Sequence, residues 1–371
     1  MRMFATRAIR IFYKRIAKPI FFRQDPEDVH DQIIRVGARL GRVRALRWLT
    51  RTTLSYANPV LEQDLLGVHF PNPVGLAAGF DKNALLTRVL PTVGFGYEEI
   101  GSITGEPCDG NPRPRLWRLP KSQGLVVHYG LKNDGCEAVA QRLRGQSFAF
   151  PVGVSVAKTN SPATVAVPDA IADYKKAFCA FLDIGDYYTI NISCPNAFGG
   201  EPFVEPERLD LLLTELDTVA TPKPIFLKLS LEQTTQQLDA LVAVADRHRV
   251  HGFILSNLLK NFAHQEVDPS EVAGITHGGI SGKPTFHQSN AVIAHLYTTV
   301  GKRYVIIGCG GIFSAADAYE KIRQGASLVQ LITGMIYEGP QLIGEINRGL
   351  AELMARDGFA HVSEAVGSAH K

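Results

Sequence analysis

The sequence predicts an α/β protein, a (β/α)₈ TIM barrel with an N-terminal helical extension. Three observations predict it. From residue 73 onward, eight short, apolar, β-rich runs alternate with helical patterns. The chemically unusual residues cluster directly after those runs, at what would be one end of the strands. The chain has 371 residues, 45% of them hydrophobic, enough for a large core in one domain of a fold that commonly exceeds about 250 residues.

The eight runs lie at 73–77, 97–101, 151–156, 187–192, 224–229, 252–256, 304–308 and 327–331. Continuous apolar strands separated by helices imply a parallel sheet covered on both faces. Eight units imply closure into a barrel. A doubly wound open sheet is the alternative arrangement of the same alternation. Residues 1–60 read as a helical extension and 61–371 as the barrel domain. Asp25-Pro26-Glu27-Asp28 reads as a helix start, with a capping Asp, Pro at the first helical position and acids in the first turn. Residues 102–135, rich in Pro, Gly and Arg, read as a long loop after the second strand that overhangs the active-site face.

Charged residues make up 20% of the chain and the net charge is +3, which gives no argument for nucleic acid as a partner. The charge is unevenly placed. Residues 1–51 hold 13 Lys/Arg against four acids, net +9, leaving −6 for the rest of the chain. The same stretch is apolar, with Phe4, Ile9, Ile11, Phe12, Ile16, Ile20, Phe21 and Phe22. It contains no uncharged apolar run of about 20 residues, so nothing in it spans a bilayer. A basic amphipathic segment lying on an anionic membrane surface fits this pattern. An Arg-rich targeting peptide and an ordinary solvated helix with a core-facing stripe are the competing readings. Five cysteines without CxxC spacing are neither a disulfide framework nor a zinc site. His248 and His251 form an HxxH with no acidic partner in view, which reads as a solvated helix face. No metal is expected.

The residues that could carry chemistry follow the strands. Gly79-Phe80-Asp81-Lys82 follows the first, and Asn191-Ile192-Ser193-Cys194-Pro195-Asn196 closes the fourth. Lys228 is an ionisable residue inside the apolar fifth run, and Asn257 follows the sixth. Cys309-Gly310-Gly311 and Thr333-Gly334 follow the seventh and eighth, where glycine lets backbone N–H groups approach a phosphate. The third glycine of a GxGxxG is missing, which disfavours a Rossmann site. A lysine in a barrel strand needs an anionic partner, either the electron-rich edge of a flavin or an internal carboxylate. Cys194, in a polar loop at a strand end, is a candidate nucleophile or general base, or a small buried residue. No Ser/His/Asp arrangement supports hydrolysis.

These residues resemble the dihydroorotate dehydrogenase family along nearly the whole chain. The specific pieces are Gly-Leu-Ala-Ala-Gly-Phe-Asp-Lys at 75–82, Glu-Ile-Gly-Ser at 99–102, Gly-Asn-Pro-Arg-Pro-Arg-Leu-Trp-Arg-Leu-Pro at 110–120, Asn-Ile-Ser-Cys-Pro-Asn at 191–196 and Gly-Gly-Ile-Ser-Gly-Lys-Pro at 278–284. The resemblance implies FMN in a barrel and oxidation of dihydroorotate to orotate in pyrimidine synthesis. By the same resemblance, Ala78, Gly79, Lys82, Ser102, Ser155, Asn191, Lys228 and Ser256 fall at the cofactor. Gly282, Gly310, Gly311, Thr333 and Gly334 fall at its phosphate and ribityl contacts. Lys82, Asn191, Asn196 and Asn257 fall where substrate is gripped, and Cys194 falls at the general base.

The extension, with Asp-Pro-Glu and His30, resembles the membrane-bound class that reduces quinone, and Arg118 falls where that class places an arginine near the quinone. The implied location is peripheral, on the cytoplasmic face of the cell membrane or on the mitochondrial inner membrane. Other features depart from that class. It uses serine as its base, whereas cysteine is typical of the soluble classes. A substrate-contacting Asn is Val127 here, an Asn-Thr pair is Asn257-Leu258, a flavin-contacting Asn is Ser155, and a tyrosine near quinone and flavin is Ile332. Two of these remove hydrogen bonds to substrate, worth roughly 1–3 kcal/mol each. Either His128, Lys132 or Asn133 compensates, or the substrate is another cyclic amide or an enoate, or flavin binding has outlived turnover.

Overall fold

The structure, a computed structural model, describes the whole chain except Met1, Cys194, Pro195, Ser256 and Lys371, and only the backbone of residues 2–4. Eight strands close into a barrel in which every neighbouring pair is parallel. In chain order they are Val74–Leu76, Tyr97–Ile103, Val152–Val156, Tyr187–Asn191, Ile225–Leu229, Gly252–Leu255, Val305–Cys309 and Leu328–Leu331. Each falls on one of the eight apolar runs. The ring shuts where the eighth strand pairs with the first, Val329 opposite Val74 and Leu331 opposite Leu76. The open-sheet alternative is thereby removed.

The barrel interior explains why two of its strands carry glycine. Tyr97 and Tyr187, the first residues of their strands, are buried inside it. A Cβ on Gly75 would lie 2.3 Å from the Tyr97 ring, and one on Gly153 would lie 2.1 Å from that of Tyr187. Large residues thus face glycines within the lumen, as close packing of an interior requires. Phe70, from the antiparallel hairpin Gln63–Leu65 and Val68–Phe70, packs edge-on against Tyr97 and plugs the end from which the strands start. Only the opposite end, where the strands finish, is left to hold a site.

The segment at 102–135 is not a plain loop. Leu116–Leu119 and Gly124–Val127 form an antiparallel hairpin, and Gly279–Gly282 adds a third strand to it. That third strand lies beyond the sixth barrel strand, so two separate connections are stitched together above the barrel mouth. Backbone hydrogen bonding is satisfied within this sheet, which lets a long insertion hold a fixed shape.

The extension is helical over 2–21, then over Pro26–Leu40 and Arg44–Leu54. Asp25 caps the second of these, accepting from the N–H groups of Glu27 at 2.9 Å and Asp28 at 3.0 Å, with Pro26 at the first helical position. The first helix is tied to the barrel by the Arg10–Glu345 and Lys14–Glu338 ion pairs and by the Tyr13 hydroxyl on the Ile336 carbonyl. Ile11, Phe12, Ile16, Ile20, Trp48 and Leu49 remain exposed. No helix among the described residues is long and apolar enough to cross a membrane. The HxxH is not a solvated helix face. His248 lies between Asp217 at 2.8 Å and Asp210 at 3.1 Å, and His251 accepts from the Ile225 N–H beside the sixth strand. The acids come from a neighbouring helix, which spacing in sequence cannot show.

Candidate active site

A cavity of about 480 Å³ opens at the C-terminal ends of the strands. Its volume is within the usual range for small-molecule sites, about 300–1,000 Å³. Barrel loops form one side. The other is formed by the extension, through Tyr13, Phe21, Phe22, Val29, His30 and Ile33.

Most of the residues singled out in the sequence line this one cavity. They are Ala78, Gly79, Lys82, Ser102, Asn191, Asn196, Lys228, Asn257, Gly282, Gly310, Gly311, Thr333 and Gly334, with His30 and Arg118 on the side of the extension. Ser155 is not in the wall. It lies fully buried behind it, 2.7 Å from the Ser102 hydroxyl. Cys194 and Ser256 lie outside the described residues.

The barrel floor is a polar layer. Lys228 stands 3.8 Å from Glu99, which also accepts from Thr189 at 2.9 Å and Gln330 at 3.2 Å. The internal carboxylate weighed as a partner for Lys228 is therefore present, and Lys228 also faces the cavity. Above this layer the Asn191 side-chain amide donates to Ser102 at 2.8 Å, and its side-chain oxygen accepts from the Ser193 N–H at 3.2 Å. The Asn191 amide is thereby oriented. Asn257 donates to the Ser193 carbonyl and hydroxyl, at 2.5 and 3.0 Å.

The cavity edges show why glycine is needed at two points. Gly79 has φ +110°, and a Cβ there would meet nothing nearer than Ile332 Cδ1 at 3.9 Å, so it would project into the open cavity. Gly311 has φ +73°, and a Cβ would lie 2.5 Å from that of Phe286. A backbone left bare at Gly79 suits a flat ligand lying against it, and the turn at 310–311 brings a loop and the helix Thr333–Glu338 to the same corner.

Lys82 projects from the loop after the first strand. Its ammonium sits 3.8 Å from the centroid of the Tyr129 ring. Burial pushes its pKa down to about 7, against the pull of Asp31. The Tyr129 hydroxyl is buried and has no hydrogen-bond partner among the described residues. Tyr129 was not singled out from the sequence. It sits between the unusual Val127 and Lys132, and only the fold brings it over Lys82.

Glu27 was equally hidden. Its carboxylate takes a two-pronged contact from Arg115 at 2.7 and 2.9 Å, with Arg113 at 3.0 Å and Lys132 at 3.2 Å. Burial alone would raise the Glu27 carboxyl, but these cations outweigh it and hold it at about 2. The Asp-Pro-Glu and Asn-Pro-Arg-Pro-Arg motifs are thus two halves of one clamp between the extension and the insertion. Arg118 donates to the Gln24 carbonyl at 2.7 Å and stacks 4.8 Å over Phe22. His30 Nε2 lies 2.8 Å from the Phe80 carbonyl oxygen, and burial lowers its pKa.

Of the three residues considered as compensation for Val127 and Leu258, only Lys132 lines the cavity. His128 holds the Asn196 side-chain oxygen at 3.2 Å, and Asn133 is buried, donating to Thr104 and Leu131. Asn196 also donates to the Val127 carbonyl at 3.0 Å, so the Val127 backbone orients this asparagine.

Comparison with known proteins agrees with the resemblance. The family model for dihydroorotate dehydrogenase matches residues 60–354. A protein of Gloeobacter violaceus named dihydroorotate dehydrogenase (quinone) is 37% identical over 96% of this chain and 98% of its own length. One of Roseiflexus sp. with the same name is 38% identical over 95% of this chain and 97% of its own. Among solved structures, that of the Eimeria tenella enzyme DHODH in complex with ferulenol matches with a TM-score of 0.82 at 27% identity, covering 94% of this chain and 96% of that one.

Proposed function

This chain belongs to the dihydroorotate dehydrogenase family, and from that premise we propose how its cavity is divided. The reaction is oxidation of dihydroorotate to orotate in pyrimidine biosynthesis, with a quinone as electron acceptor. The family is flavin-dependent, and FMN is the flavin we assign to the barrel side. The observation that carries this division is one cavity shared by the polar barrel floor and the apolar extension.

The residues present fit FMN. The bare backbone at Gly79 leaves room for the flat ring, Lys228 offers positive charge to its electron-rich edge, and the loop at 310–311 with Thr333 and Gly334 suits the phosphate. Bound FMN supplies the hydride acceptor and relays the electrons to quinone. Glu99, held by Thr189 and Gln330, keeps Lys228 in place.

Lys82 binds the substrate carboxylate, and its charge is favoured once that anion arrives. Asn191, Asn196 and Asn257 pair with the ring amides, since each side chain offers both donor and acceptor. Their orientation is fixed in advance by Ser102, His128 and Ser193. Cys194 takes the proton next to the substrate carbonyl as general base. The Tyr129 hydroxyl supplies polar capacity near the apolar wall made by Val127 and Leu258.

The extension is the quinone and membrane side. Its exposed apolar residues, flanked by arginines, support peripheral binding to an anionic membrane, on the cytoplasmic face of the cell membrane. Arg118 and His30 stand at the cavity's apolar end, where a quinone head would meet them.

The test is spectroscopic. The purified protein should be yellow, and dihydroorotate added without oxygen should bleach the flavin absorbance. A flavin that stays oxidised under dihydroorotate would overturn the substrate assignment. A colourless protein that takes up no FMN would overturn the cofactor assignment.

A further inference from the structure

Lys321 lies outside the cavity, on the helix Ala315–Arg323, and has no solvent exposure. Among the described residues it has no ion-pair partner. Of the two acids on its own helix, Asp317 is taken by Lys283 at 3.0 Å and Glu320 accepts from Gln324 at 2.7 Å. Its ammonium instead donates to the Ser289 hydroxyl at 2.9 Å and to the Asn290 side-chain oxygen at 2.9 Å. Ser289 in turn donates to the Cys309 carbonyl at 2.6 Å. A buried ammonium without a counter-anion is expensive, so its position calls for a reason.

Donor and acceptor bookkeeping supplies one. Burial pushes Lys321 down to about 7, and an arriving phosphate favours its charged form; that ammonium can only donate, so the Ser289 oxygen then accepts from it. The single hydroxyl proton is then committed to the Cys309 carbonyl. In a trans peptide the C=O and the following N–H point in opposite directions. Fixing the Cys309 carbonyl on the helix Phe286–Val300 therefore turns the Gly310 N–H away from that helix, toward the side where Cys309, Gly310 and Gly311 line the cavity and where, without ligand, this N–H meets the Cys309 thiol. The space is too tight for sloppier geometry, since a Cβ on Gly308 would meet Lys321 Cδ at 3.3 Å and one on Gly311 would meet Phe286.

We propose that Lys321 is a positioning residue for the cofactor phosphate. Through Ser289 it locks the Cys309–Gly310 peptide with its amide toward the cavity, and from behind the loop it supplies positive charge that the phosphate answers. This rests on the assignment of FMN phosphate to that loop. The polarised chain Lys321–Ser289–Cys309 strengthens the donor that faces the ligand. Riboflavin, which lacks the phosphate, gains nothing from it.

The test compares FMN and riboflavin on the full chain after flavin removal, with dissociation constants read from quenching of flavin fluorescence. Lys321→Met is nearly isosteric and uncharged. It should weaken FMN by about tenfold or more, the size of one charge-assisted interaction, and leave riboflavin within about twofold. Ser289→Ala keeps the charge and removes the relay. It should weaken FMN by a smaller factor in the same direction. Should Lys321→Met fail to fold, the Ser289→Ala ratio decides. Equal loss of both flavins, or an FMN-to-riboflavin ratio unchanged from wild type, overturns the inference and leaves a packing role only. Wild-type protein binding riboflavin as tightly as FMN would instead remove the phosphate assignment itself, and this inference with it.

Discussion

The ammonium of Lys82 lies 3.8 Å from the centre of the Tyr129 ring, a cation–π contact that joins the loop after the first strand to the insertion at 102–135. Each residue is ordinary by itself. Together they place a charge that burial weakens against a π face that partly restores it.

The first prediction follows from that charge. Burial pushes Lys82 down to about 7 in the free enzyme. Below that pH Lys82 is charged and ready for a carboxylate. Above it, binding the anion must take up a proton. Orotate affinity should therefore be flat at lower pH and fall by up to about tenfold per unit as pH rises above 7. Titrating orotate against flavin absorbance between pH 6 and 8.5 checks this. Affinity independent of pH over that range would contradict it. Lys82→Ala should weaken orotate by about 10- to 100-fold, the worth of a charge-assisted pair.

The second concerns the clamp around Glu27. Its carboxyl is held at about 2, below its ordinary value, by Arg115, Lys132 and Arg113 against the opposing effect of burial. A depressed carboxyl contributes stability above its unfolded pKa and loses it as pH falls toward the folded value. Stability from this group should thus fade between about pH 4.5 and 2. Glu27→Ala leaves the buried Arg115 uncompensated and should cost about 3–5 kcal/mol. Thermal melts across pH should show a lower wild-type midpoint in acid and a smaller acid response in the variant. Identical acid responses would count against the clamp.

The third concerns the extension. Residues 1–24 should bind vesicles containing anionic lipid, and salt should weaken the binding without abolishing it, because screening removes the charge term and leaves the apolar one. Deleting them should impair quinone reduction more than dye reduction. Unchanged sedimentation with vesicles after deletion would refute the membrane role. Arg118→Ala should likewise raise the KM for quinone and spare reduction by dihydroorotate.

The fourth concerns Cys194, which lies outside the described residues. As general base it should make flavin reduction rise with pH through thiol ionisation and then level off. Cys194→Ala should slow the reductive half-reaction by a factor on the order of 10²–10⁴. Cys194→Ser should keep fold and flavin but still reduce slowly. Stopped-flow traces of the alanine variant that match wild type would take Cys194 out of the mechanism.

The sequence by itself determined the barrel and picked out many of the residues that line its cavity. Strands buried on both faces read as unbroken apolar runs, and all eight were legible for that reason. Site residues in a barrel follow strand ends, so Gly79, Lys82, Asn191, Lys228, Gly310 and Thr333 stood out at fixed offsets from those runs. Asp25 and Pro26 marked a helix start because capping is local chemistry.

Only the tertiary structure decided what those residues touch. Glu27 meets Arg115 across 88 positions, Lys228 meets Glu99 across the lumen, and Lys321 reaches the Cys309 carbonyl through a serine on another helix. The inserted loop became a sheet only because Gly279–Gly282 arrived from far along the chain to pair with it. Local propensity and periodicity are properties of neighbouring residues. Ion pairs, π contacts and relays depend on distances in space, which closing the barrel and docking the extension bring into being.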